Sequence, residues 1–369
     1  MALEFAERIR RIPVYPIAAG YDLGAGTAML ASNETPFAPH EAVTAAAARA
    51  ISGAHRYPDP AYEPLRKALS ERYGLAPERI ALGCGSCDIL LSAGEALLEP
   101  GAEVVYSWPA FSVYPHLGAA SGARAIEVPL DPEERHDLDA MLAEITVATR
   151  LVLVCNPNNP TSTALPLERI EEFLEQVPAH VCVILDEAYC EFSLAVGDPY
   201  ASVKLLGRFP NLVLLRTFSK VYGLAGLRVG YALCGTDTFR IAVDQVRQPF
   251  YLTAAAQAAA VEALRHQDEV ERRVVATIAS RDPLVEGVRE LGLWVAASDA
   301  NFIWVRLPEE DDGAIVTALR DRGVLVRAGS ALGRAGCIRV TVGTDAENDK
   351  FVSALGASLT AGGPQRFGG

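Results

Sequence analysis

Between residues 103 and 215, strand-like apolar runs alternate with helix-like segments, and this alternation restricts the fold more than any other feature of the chain. Glu103–Tyr106, Ala125–Val128, Leu151–Val154, Val181–Leu185 and Leu212–Leu215 have the short apolar character of buried strands. Helical patterns lie between several of them. Leu167–Gln176, for one, opens after Pro166 and carries its acids early, where a helix N-terminus favours negative charge. Strand, helix, strand at this spacing predicts an α/β fold with a mostly parallel sheet covered by helices on both faces.

The chain has 369 residues, more than the ~250–300 at which one apolar core stops growing, so a second domain is expected. The texture changes near Glu271: a long charged helical stretch leads into short strands at Asn301–Val305, Val324–Arg327 and Cys337–Val342. That alternation predicts a smaller α+β domain. The expected division is an N-terminal arm over 1–32, a large domain over 33–265, a small domain over 266–360 and a disordered tail over 361–369. The alanine-rich segment Thr253–Arg265 reads as a buried helix without a catalytic role.

A net charge of -13 argues against nucleic acid and anionic membranes as partners, because both would repel the chain. Met1–Arg11 has no signal-peptide core, and no apolar run approaches the ~20 residues of a membrane span. A cytoplasmic location is therefore expected. The seven cysteines are scattered. Cys84 and Cys87 have zinc or redox spacing, but no second pair accompanies them, so free thiols and no metal are expected.

Chemistry collects where the strands end. Lys220 follows the run Asn211–Leu215, with Thr217 and Ser219 beside it and Arg228 further on. In an α/β fold, ligands bind outside the carboxyl edge of the sheet. The segment thus offers an amine and an anion cradle, which suits the aldehyde and phosphate of pyridoxal phosphate. Asp186 ends the strand Val181–Leu185; buried there, a carboxylate needs a cationic partner, and a protonated pyridine nitrogen would be one. Tyr189 and Asn159, the latter in the proline-stiffened loop Asn156–Thr161, could both donate to the ring's phenolic oxygen. Gly83, Gly85 and Ser86 precede an apolar helix over Ile89–Leu98, where bare amides could hold a phosphate. They do not form a dinucleotide fingerprint, since the third glycine is missing and no clear strand-helix unit with a ribose acid frames them. Phe111 follows another strand and could stack on a flat ring.

With these residues in view, the chain resembles the fold-type I, pyridoxal-phosphate-dependent aminotransferases of the histidinol-phosphate and aromatic group. The motifs run nearly end to end: Ser32–Phe37, Arg56–Asp59, Asn156–Thr161, Asp186–Tyr189, Thr217–Lys220, Gly226–Arg228 and Ile338–Thr341. The resemblance implies a sheet of the seven-stranded type and a homodimer with shared active sites. It implies that Lys220 holds the cofactor as a Schiff base and later moves the substrate's Cα proton, and that Asp186 keeps the pyridine protonated. Tyr189, Asn159 and Phe111 would hold the ring. Gly85, Ser86, Thr217, Ser219 and Arg228 would hold the phosphate, and Tyr57 would reach the phosphate in the neighbouring subunit. Arg339 would clamp the substrate carboxylate with help from Asn33. The reaction would pass an amino group to a 2-oxo acid by ping-pong kinetics.

The amino donor is less firmly written. Gly83–Cys87, Thr161-Ser162 and the arm Tyr15–Gly20 depart from the usual histidinol-phosphate spellings. These departures resemble the aromatic, or phenylalanine, branch, with histidinol phosphate as the alternative donor. A related decarboxylase would share Lys220 and Asp186 but spells Thr217–Gly223 differently, and a pyridoxal-binding regulator would need a DNA-binding segment. Tyr15 or Tyr21 would line the side-chain pocket. Arg327 would serve either a substrate phosphate or a surface acid.

Overall fold

The computed structural model describes residues 3–12, 14, 24, 26–194, 197–308 and 311–361. Seven strands form the main sheet, in the order Ile80–Gly83, Gly230–Cys234, Leu212–Thr217, Cys182–Asp186, Thr149–Cys155, Glu103–Trp108 and Arg124–Pro129. All run parallel except Gly230–Cys234, which is antiparallel to both of its neighbours. The central strands are apolar on both faces because each face meets a core. Val105, Val152, Val183 and Leu214 belong to one apolar cluster, while Val104, Leu151, Ile184 and Val213 belong to the other. This alternation follows from the two-residue period of a strand.

A second, four-stranded antiparallel sheet runs Arg327–Ala328, Cys337–Thr341, Phe302–Arg306, Trp294–Val295. Its core takes Leu284 and Val288 from the long helix Gln267–Glu290, and Phe351 and Leu355 from the helix Asp345–Ala361. Asp268 and Glu269 in the first turn suit that long helix's N-terminus.

Three sequence expectations change. Val324–Arg327 is not one strand: Val324–Leu325 pairs in parallel with Ala28–Met29, whereas Arg327–Ala328 joins the four-stranded sheet. Ala28–Met29 therefore brings strand structure into the stretch read as an irregular arm. Finally, a strand, Ile80–Gly83, does frame the glycines ahead of the helix Ser86–Leu97. Its four residues are too few to show a period, and it is buried on both faces. Residues 362–369 of the expected tail lie outside the described residues, as do Tyr15 and Tyr21. Among the described residues no helix is long and apolar enough to cross a membrane, and no group of three potential ligands could hold a metal ion.

Candidate active site

Trp108, Cys155, Asp186 and Thr217 end four adjacent parallel strands, so the residues after them crowd one edge of the sheet. Cys155 lies directly opposite Asp186, and Asp186 opposite Leu215. Outside this edge is a cavity of about 310 Å³. Ser86, Phe111, Asn159, Asp186, Tyr189, Thr217, Ser219, Lys220 and Arg228 all line it. The structure thus gathers, around one space, residues as far apart in the chain as Ser32 and Arg228.

The Lys220 amine donates to the carbonyl of Ser32 at 3.0 Å. Burial pushes this amine down to about 7, with Arg339 adding to the drop and Glu34 opposing it. Near neutrality it is therefore poised between an ammonium and a nucleophilic amine. Asp186 is 3 % exposed, and burial pushes its carboxyl up to about 6. Only the Ala188 N–H (3.2 Å) and the Tyr114 hydroxyl (3.2 Å) donate to it, and no ion pair with it occurs among the described residues. A buried carboxylate without a cation is costly, so a ligand that brought a protonated nitrogen here would meet a ready partner.

Four polar side chains form a chain, of which Asn159 and Tyr189 line the cavity. Arg339 Nη1 donates to Asn159 Oδ1 at 2.6 Å, and Asn159 Nδ2 donates to the Tyr189 hydroxyl at 3.3 Å. Asn33 Nδ2 donates to the same hydroxyl at 3.1 Å. Arg339 Nη2 is held by the Ala31 carbonyl at 2.6 Å, and the Asn33 N–H by Thr341 Oγ1 at 2.9 Å. Asn33 and Arg339 are thereby brought to the site although neither follows a main-sheet strand.

The anion end is equally specific. Gly85 caps the helix Ser86–Leu97 at φ +81°, and a Cβ there would collide with the Arg228 guanidinium. A Cβ on Gly230 would collide with the amide nitrogen of Ser86. Arg228 Nη1 donates to Ser219 Oγ at 3.4 Å and to the Ala225 carbonyl at 3.0 Å, and Ser219 N–H to Thr217 Oγ1 at 3.0 Å. Helix amides, two hydroxyls and a guanidinium converge as a phosphate requires. With an amine, an unpaired acid and an anion cup around one cavity, the donor set fits pyridoxal phosphate.

Of the expected residues, Gly85, Asn33, Tyr57, Arg327 and Arg339 do not line this cavity; Gly85 adjoins Ser86, and Asn33 and Arg339 bond to Tyr189 and Asn159 in its lining. Tyr57 is 81 % exposed and stacks on Phe250, with ring centroids 4.5 Å apart. Arg327 is buried and sits opposite Arg339 in the small sheet. Two residues escaped the sequence reading. Tyr114 stands 72 positions before the Asp186 it supports, a distance that leaves no local signal. Arg216 forms a buried ion pair with Glu187 at 2.9 Å behind the site. A charge within an otherwise apolar strand was the available clue, since its partner follows Asp186 on the adjacent strand.

The family model for aminotransferase class I and II matches residues 27–355. An aromatic amino acid aminotransferase of Thermobifida fusca is 44 % identical over 329 residues, which is 89 % of each chain. A histidinol-phosphate aminotransferase of Cupriavidus pinatubonensis is also 44 % identical, over 94 % of this chain and 92 % of its own. Among solved structures, the histidinol-phosphate aminotransferase of Sinorhizobium meliloti in complex with pyridoxal 5′-phosphate superposes with a TM-score of 0.88. It is 31 % identical, over 98 % of this chain and 99 % of that one. The likeness takes in both the cofactor edge and the small sheet, and it settles the family: this chain is a class I and II aminotransferase that works with pyridoxal phosphate.

Proposed function

We propose that the enzyme moves the amino group of an aromatic L-amino acid, phenylalanine or a close analogue, to a 2-oxo acid in two half-reactions. The observation that carries transamination is the convergence of Lys220, Asp186 and Tyr189 on one cavity, with Arg339 bonded to the Asn159 that lines it, and the aromatic relative named above supports the donor. When bound, pyridoxal phosphate supplies an electron sink for the charge left on the substrate's Cα. Lys220 takes the Cα proton and returns it on the other side of the reaction, which its lowered basicity suits. Asp186 pairs with the ring nitrogen, Tyr189 and Asn159 hold the phenolic oxygen, and Phe111 covers the ring. Gly85, Ser86, Thr217, Ser219 and Arg228 bind the phosphate. Arg339, with Asn33, orients the substrate carboxylate. An adjoining cleft of about 460 Å³, lined in part by Leu30, Pro36, Phe37 and Pro39, offers apolar walls for the aromatic ring.

Histidinol phosphate is the second reading, and one observation favours it: the relative named for that activity matches over 94 % of this chain at the same 44 % identity. We also propose a homodimer in which exposed Tyr57 reaches the partner subunit's cofactor phosphate, and a cytoplasmic location consistent with seven free thiols. In this reading residues 33–265 carry the cofactor and 266–360 form the smaller domain. A single-turnover half-reaction tests the donor. Phenylalanine and histidinol phosphate are offered separately to the loaded enzyme while the bound cofactor's visible absorbance is followed. Faster bleaching by phenylalanine per unit concentration is expected; a wide margin for histidinol phosphate reverses the choice, and no bleaching by either removes the transaminase reading.

A further inference from the structure

Glu134 lies outside the cofactor cavity, in the loop between the strand Arg124–Pro129 and the helix Leu138–Ala143, and is 1 % exposed. Its φ of +65° is left-handed, a region that favours glycine or asparagine. Glutamate is held there against its backbone preference, and both of its ends are engaged. The carboxylate accepts from Arg306 Nη2 at 2.9 Å and from Arg334 Nη1 at 2.9 Å. The backbone carbonyl accepts from Thr163 Oγ1 at 2.6 Å, and Thr163 continues through Thr161 (3.0 Å) to Asn158 Nδ2 (2.8 Å).

One residue therefore grips two parts of the site from behind. Its carbonyl holds the loop that carries Asn159. Its carboxylate holds the sheet that carries Arg339, because Arg306 ends a strand whose Trp304 pairs with Arg339, and Arg334 leads into the Arg339 strand. The Asp299 N–H also bonds the Ser162 carbonyl at 2.8 Å, but the contact that reaches Arg339 itself is to Asn159, at 2.6 Å beside the cavity. A substrate carboxylate that takes up Arg339 has to share or displace that contact. Something outside the cavity must then keep the two parts in register.

We propose that Glu134 is a positioning residue for substrate binding: its two ion pairs fix the separation of Asn159 and Arg339, so that the guanidinium meets the substrate carboxylate already aligned. This rests on the reading of Arg339 as the carboxylate anchor. Arrangement of a preformed anchor lowers the cost of binding without touching the reacting atoms. The arginine side chains are 45 % and 41 % exposed, so salt weakens the grip from outside.

Glu134→Gln in the cofactor-loaded enzyme tests the proposal, with 3-phenylpropionate as an inert carboxylate probe and phenylalanine as substrate. The probe's Kd and the KM for phenylalanine are expected to rise about fivefold or more, while kcat and cofactor affinity stay within about twofold. Arg306→Gln combined with Arg334→Gln should match that loss, and adding Glu134→Gln to the pair should cost nothing further. The arginine pair also carries the test if Glu134→Gln fails to fold. Equal loss of probe and cofactor affinity, or no change in either, overturns the proposal. Arg339→Gln separates the two levels. If Arg339→Gln loses the probe while Glu134→Gln keeps it, only the role of Glu134 falls. If Arg339→Gln binds the probe like the unmutated enzyme, the anchor reading fails and takes this proposal with it.

Discussion

Lys220 and Asp186 are both displaced from their ordinary protonation by the same cause, burial, and in directions that leave each near neutrality. Lys220→Ala should abolish proton transfer while leaving the phosphate cup intact. Single-turnover transamination is expected to fall by about a thousandfold or more, with cofactor still retained on the filtered protein. Tyr114→Phe probes the acid. The Tyr114 hydroxyl helps to hold the Asp186 carboxylate in its charged form, so its removal raises the Asp186 pKa further. The acid limb of kcat/KM against pH should then move to higher pH, and an unmoved limb would separate Tyr114 from the ring's acid. Lys220, Asp186, Tyr189 and Asn159 were legible because each sits where an apolar run stops, and a parallel sheet places such ends side by side. Tyr114 and Glu134 were not legible: their partners are contributed by elements 72, 172 and 200 positions away.

The proposed phosphate cup depends on one strand meeting one helix. Gly83 and Gly230 face each other across the antiparallel pair, and their bare backbones admit the first turn of the helix Ser86–Leu97. Gly230→Ala forces a Cβ against the Ser86 amide, and this contact is backbone, which cannot rotate away. Cofactor affinity should drop at least about tenfold, as read by equilibrium dialysis. Gly207→Ala, with open space at the Cβ position, serves as the control. Long central strands declared themselves through continuous apolar runs. Ile80–Gly83 and Gly230–Cys234 did not, since each carries a glycine at one end that shortens its apolar run. The break at Val326 was equally hidden, because it arises from two different sheets competing for one segment.

In the whole molecule, three buried titrating groups respond to pH together. His136 Nε2–H donates to the Cys155 carbonyl (2.8 Å), and burial pushes the imidazole down to about 4. As pH falls from about 6.5 toward 4, the unfolded chain binds a proton that native His136 refuses, so stability falls. Asp186 runs the other way. Without cofactor its native carboxyl takes a proton near pH 6, whereas the unfolded one waits until about 3.8, so stability rises as pH falls through that window. The two contributions oppose each other in the cofactor-free protein. In the proposed pairing with the ring nitrogen Asp186 would stay ionised, and bound cofactor would then remove the compensation. Lys220 adds to the effect: below about 7 it holds a proton and no longer bonds readily to an aldehyde. The stabilisation conferred by pyridoxal phosphate should therefore shrink as the medium is acidified. Scanning calorimetry of loaded and cofactor-free protein, from about pH 7.5 down to about pH 4.5, measures the gap in Tm directly. A gap that narrows steadily supports the pairing of Asp186 with the ring. A gap that stays constant or widens would mean that Asp186 remains protonated beneath the bound cofactor, and the electron sink would then need another partner.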